Sequence, residues 1–208
     1  MPFSQEWALP NESEWRVRLM ARGSAGPRDI AIPFGVFDAV AVFASGPDTP
    51  ITVSAAADAG VEPARVLTEG LENTWRKELT HLDARRHELG LGRQLRVLAI
   101  DDSPYVSAAI TGLRRILGYD PTGGAFVAAP RFSTIAMLPI ESVQDGEAFN
   151  GLARMMRAIY ESGQGLSLDP RVHWWDGHEI RETEIATGGD LQLTGPQELV
   201  TRLLSFEG

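Results

Sequence analysis

The chain has 208 residues, a mass of 22.7 kDa and a formal net charge of −9, with 43% apolar and 23% charged side chains. That composition belongs to a folded globule large enough to bury a core without covalent staples. The absence of cysteine excludes disulfides, thiolate nucleophiles, Cys-ligated zinc and iron–sulfur clusters, and an acidic surface of pI about 4.9 opposes the phosphate backbones of nucleic acids.

Met1 is followed by Pro2, Gln5, Glu6 and Pro10, not by a basic segment and an apolar stretch, so no secretory signal is expected. The apolar runs at 30–44 and 125–140 are broken by Pro33 and Asp38 and by Pro130 and Arg131, well short of the ~20 apolar residues of a membrane helix. A soluble bacterial protein of the cytoplasm is the expectation. Of the 19 basic residues only Lys77 is lysine, a bias of GC-rich coding.

In chain order, residues 14–22 alternate Trp15, Val17 and Leu19 with charged neighbours, the period of a half-buried strand. A turn at 23–27 leads to strands at 29–33 and 36–44, and 51–54 reads as a fourth. Leu67, Leu71, Trp75, Leu79, Leu82 and Leu89 then recur at helical spacing, so 62–89 is predicted as one long amphipathic helix ended by Gly90 and Gly92. Its mixture of 6 acidic and 7 basic residues over 61–96 is that of a solvated, ion-paired face and not a nucleic-acid footprint. A strand at 95–100 follows, with Asp102 or Ser103 placed to cap a helix that carries Val106, Ile110, Leu113 and Leu117. Strands at 124–130 and 133–140 precede an amphipathic helix through Phe149, Leu152, Met156, Ile159 and Tyr160. Asp176-Gly177 marks a hairpin between 172–175 and 178–185, and a helix at 196–204 closes the chain.

The fold class is therefore α+β, with short antiparallel hairpins packed against long amphipathic helices. A weak repeat, Ile30-Ala31-Ile32-Pro33 against Phe126-Val127-Ala128-Ala129-Pro130, admits two similar lobes over 14–92 and 93–208. No low-complexity linker separates them, and a single compact domain over 1–208 is the expectation.

Two stretches invite chemistry. Residues 96–120 resemble the first strand and helix of a receiver domain, where paired acids hold magnesium. Receiver chemistry also needs a later acceptor Asp and a Lys, but the strand at 133–140 ends in Pro139-Ile140-Glu141 and no Lys follows Lys77. Asp101 and Asp102 are left as strand-end and helix-start residues. The second stretch is His173-Trp174-Trp175-Asp176-Gly177-His178. A two-residue turn sets Trp175 opposite His178 and His173 opposite Ile180, with both histidines on one face and Glu182 as a third donor. Arg171 opposite Glu182 explains that acid more simply as an ion pair. A partner- or ligand-binding aromatic surface and plain packing are the two other readings.

His81 and His87, six apart on the predicted helix, cannot chelate together. The pairs Gly123-Gly124 and Gly188-Gly189 lack the Lys or helix start of a phosphate cradle and read as turns. Glu141, Asp145 and Glu147 read as helix-start carboxylates. No nucleophile elbow, phosphate loop, dinucleotide fingerprint or zinc-protease helix is present, and no cofactor or metal is expected.

From about 36 to 185 the order of features resembles the YtpQ-like bacterial family of unknown function. The pieces are Leu71-Glu72-Asn73, then Asp101-Asp102 followed by Tyr105. After these come Ala128-Ala129-Pro130, Leu166-Ser167 and Trp174-Trp175-Asp176-Gly177-His178-Glu179. The resemblance implies an α+β fold and a cytoplasmic setting and carries over no catalytic residues. The chain looks shorter at its N-terminus than such relatives.

The leading functional expectation is a non-enzymatic interaction or regulatory protein that meets another protein through His173, Trp174, Trp175 and His178. The rival is a metal-dependent enzyme or small-ligand binder using Asp101, Asp102 and Tyr105 at a strand end. An immunity or chaperone-like protein is the third.

Overall fold

In the computed structural model, residues 9, 11–82, 84–89, 92–162, 167–186 and 192–207 are described. The alternating segment at the start builds β1 (Trp15–Ala21), which pairs antiparallel with β3 (Phe37–Phe43). β2 (Ala31–Phe34) and β4 (Gly46–Pro50) complete this four-stranded sheet by also pairing with β3. β1 is not half-buried as its pattern suggests. Arg16 and Arg18 are also buried, Arg16 through a 2.6 Å ion pair with Glu78 and Arg18 with its guanidinium 4.1 Å over the Phe132 ring.

The expected strand at 51–54 is a helix start. Thr52 accepts a hydrogen bond from Ala55 N at 3.2 Å and caps α1 (Val53–Asp58), so the cap overrides the β-branched run. The long helix at 62–89 is also corrected. α2 (Pro63–Asn73) runs into a π-helical turn, Thr74–Glu78, closed by Leu79 N to Thr74 O at 3.1 Å. The chain then turns into β5 (Ala84–Glu88). His81 therefore lies in a turn and His87 on a strand, not on one helix.

The second sheet has six antiparallel strands in the order β10-β9-β7-β8-β6-β5. β6 is Gln94–Ala99, β7 Ala125–Arg131, β8 Thr134–Pro139, β9 Val172–Trp175 and β10 Ile180–Glu182. β5 and β6 form one hairpin, so a division of the chain at 92/93 falls inside this sheet. A 3-10 helix, Val106–Gly112, and α3 (Leu113–Leu117) follow β6, and Asp102 caps neither. It takes a left-handed conformation (φ 59°), while the Ser103 hydroxyl accepts from Tyr105 N at 3.3 Å.

Alternation sorts the second sheet into two faces. Leu98, Val127, Ile135, Met137, Trp175 and Ile180 pack with Val17, Leu19 and Phe37 of the first sheet and with Val106, Ile110 and Leu113. Leu95, Phe126, Ala136, Leu138 and Trp174 pack under α4 (Val143–Glu161) and α5 (Gln197–Leu204) through Phe149, Leu152, Met156 and Leu199. Asp145 and Ser142 form a capping box at the start of α4. A small hairpin, β11 (Glu184–Ala186) with β12 (Gln192–Thr194), lies between β10 and α5. Among the described residues no helix is long and apolar enough to cross a membrane.

Candidate functional site

The tryptophan hairpin is built into the core. Its register is Trp175 with Ile180, Arg181 with Trp174 and Glu182 with His173, two residues along from the pairing expected of a tight Asp-Gly turn. The cause is Asp176, whose Oδ1 accepts from both His178 N (2.8 Å) and Glu179 N (2.9 Å) and holds a four-residue turn. Trp174 and His173 are each 0% exposed and Trp175 6%; only His178 stands in solvent. Trp174 donates its Nε1–H to Gly123 O at 2.9 Å. Gly124 adopts φ 78°, and a Cβ there would sit 2.1 Å from Trp175 O, so this glycine is required by close approach. The pair Gly188-Gly189 lies outside the described residues.

His173 and His178 are not brought together as a ligand pair. His173 Nε2 donates to Asp169 Oδ2 at 3.3 Å, and its ring meets Phe37 edge-on at 5.6 Å. Burial by itself raises the Asp169 carboxyl, but hydrogen bonds from His173 and Arg171 outweigh it and hold the group well below the usual carboxylate range. Arg171 also pairs with Glu182 at 3.0 Å, the ion pair its spacing suggested. Among the described residues no cluster of three or more His, Asp or Glu is placed to hold a metal.

Asp101 and Asp102 are exposed, whereas Tyr105 is buried against Val40 and Val42. The Tyr105 hydroxyl points to Phe43 O and Ala44 O, at 3.3 and 3.4 Å, and burial with the nearby Glu78 pushes its pKa up to about 12. The three residues do not form one constellation.

An open cleft lies elsewhere, among residues that the sequence offers only as a helix face and a strand. Of about 890 Å³, it is bounded by the end of α2, the π turn, the start of β5 and α3. Leu71, Leu79, Leu82, Leu98 and Ile116 supply its apolar lining, and Trp75, Arg76 and Arg115 its aromatic and cationic part. The π turn is gripped from one side. Thr74 Oγ1 accepts from Val17 N at 2.8 Å, Lys77 donates to Ser13 O at 2.7 Å, and Glu78 binds Arg16. Through the turn these groups reach β1 and the residues just before it, while Trp75 and Arg76 line the cleft. Trp75 rests against Gly112, where a Cβ would meet its ring at 2.3 Å, and the Arg115 guanidinium stands 4.7 Å over it. In the sequence Trp75 falls in step with the leucines of a helix, and nothing there marks the insertion.

No family model matches the chain, and no curated protein or solved structure matches it either.

Proposed function

We propose that the chain is a non-enzymatic interaction module that meets another protein through the cleft at Trp75, not through its tryptophan hairpin. The observation that carries this reading is the half-buried Trp75 on a π turn, seated in a cleft with an apolar lining and overlaid by the exposed Arg115. Interface cores favour that combination of aromatic, apolar and Arg side chains. Single-turn π insertions also recur at functional positions. A regulatory role is part of this reading, and the YtpQ-like resemblance implies a cytoplasmic setting for it.

The test is photo-crosslinking in cells that make the chain natively, with p-benzoylphenylalanine placed at Thr80 on the cleft rim or at His178 on the hairpin turn. A discrete protein adduct from Thr80 and none from His178 is expected. Adducts from His178 alone would move the interaction surface back to the hairpin, and none from either would remove the reading.

A further inference from the structure

The two sheets treat their open edges differently. At β1, the edge of the first sheet, Val17 N–H is taken up by Thr74 Oγ1 at 2.8 Å, so the π turn closes it. β5 pairs with β6 on one side and, among the described residues, with no strand on the other. Four of its five residues are exposed. The bond from Leu89 N to Arg93 O at 2.9 Å sets the phase of the hairpin. By antiparallel alternation His87 and Arg85 turn their backbone groups to β6, and Ala84, Arg86 and Glu88 turn theirs outward.

The side chains beside that edge form a strip. Ala84 pairs with Leu98, and both line the Trp75 cleft. Arg86 pairs with Arg96, and both line a recess of about 270 Å³ beside Tyr119. The carboxylates of that recess are already engaged, Glu141 by the Tyr119 hydroxyl at 2.6 Å and Asp145 by Arg93 at 3.2 Å. Cleft, open edge and cationic recess are therefore continuous along one strand.

We propose that β5 is a docking edge which takes an extended acidic segment of another protein as an added strand, with one of its apolar side chains in the Trp75 cleft. The inference rests on the interaction reading above and specifies the partner's chemistry. Main-chain bonds to Ala84, Arg86 and Glu88 supply affinity, and alternate side chains supply specificity. The side chain opposite Ala84 is apolar and reaches the cleft; the one two residues away, opposite Arg86, is a carboxylate. Charge identifies the occupant. Arg76, Arg86, Arg96 and Arg115 outweigh Glu72 and Glu88 along the strip, and at a Debye length of about 8 Å this local excess outweighs the distant negative charge. A second copy would set the same cationic strip against itself, between chains that each carry −9.

The probe is the capped, fluorescein-labelled peptide Ser-Glu-Thr-Leu-Thr-Glu-Ser, whose two Glu and Leu share one face when extended. Fluorescence anisotropy is expected to show binding at least ten-fold tighter than for the version with Lys in place of Glu. Two further versions, N-methylated on the two alternate sets of residues, separate strand addition from simple cleft filling. One set faces β5 and should lose binding at least ten-fold; the other faces solvent and should keep it. Arg86→Glu, with its fold checked by circular dichroism, should invert the Glu-over-Lys preference. Equal binding of the two N-methylated peptides, or no preference for Glu, overturns the inference. So does a sedimentation dimer abolished by Arg86→Glu. If the peptide fails while Thr80 still captures a partner, the docking edge falls and the cleft reading stands; if both fail, both fall.

Discussion

Trp174 and Trp75 each carry arginine over the ring, yet the two sites are built to opposite ends. Trp174 has no exposure, its indole N–H is bound to Gly123 O, and Arg181 and Arg202 lie 5.7 and 5.1 Å from its ring centre. Those arginines are tied in turn, Arg181 to Asp176, Glu179 and Glu198, and Arg202 to Glu198 and Asp176 O. Over the Trp75 ring stands Arg115, which is exposed and has no ion pair among the described residues, while Arg76 in the same cleft binds the Asn73 side chain. A ring whose cations are neutralised by neighbouring acids is a structural brace. A ring whose cation is left unpaired beside an apolar cleft still has interactions to offer.

The sharpest way to break this contrast is to truncate the brace. Trp174→Ala empties a fully buried site between β9, α4 and α5, and a loss of about 3–5 kcal/mol in urea unfolding is expected. A loss near zero would mean that the hairpin is not core. Next comes the buried acid beneath it. Asp169→Asn removes the charge that accepts from His173 and Arg171, and should cost about 1–3 kcal/mol at neutral pH. Because the folded carboxyl is held below its unfolded value of about 3.9, its contribution is present above that pH and is lost as pH falls towards the folded pKa. Melting curves of the two proteins should therefore converge as the pH is lowered below about 4 and run parallel above about 5.

On the other side of the comparison, Gly112→Ala drives a Cβ into the Trp75 ring and should cost about 1–3 kcal/mol, with a change in tryptophan emission as the ring is displaced. Unchanged emission would show that the ring is not seated there. The smallest effect belongs to Arg115→Ala. Loss of one exposed cation–π contact should lower stability by about 0.5–1 kcal/mol at most, while peptide binding falls far more. Equal losses of stability and binding would make Arg115 a brace like Arg181.

Much of this arrangement is legible in the residues. The alternation at β1, the apolar runs of β7 and β8 and the periodic face of α4 each lead to the observed element, because the spacing of the apolar residues suits one kind of backbone, and Asp176-Gly177 lies in a turn between two strands. Other segments depart from their patterns. Ile51-Thr52-Val53 has strand propensity, but one threonine hydroxyl caps a helix there. Residues 62–89 keep helical spacing through Leu82 and Leu89, so a charged edge strand without β-branched residues is hidden in the tail of a helix pattern. The hairpin register moved by two because Asp176 binds two backbone amides, which a dipeptide rule does not weigh. The cleft is the least legible feature. It depends on a π turn held by tertiary bonds to β1 and on the strand that follows it, and the spacing of the leucines encodes neither.

The proposed interaction passes through Trp75 and the adjoining β5 edge and leaves the hairpin tryptophans untouched. Fluorine NMR of the chain labelled with 5-fluorotryptophan measures this directly, with its five tryptophan resonances assigned by single Trp→Phe variants. On titration with the acidic peptide the Trp75 resonance should move and those of Trp174 and Trp175 should stay in place. Movement of Trp174 and Trp175 with a stationary Trp75 would contradict the account.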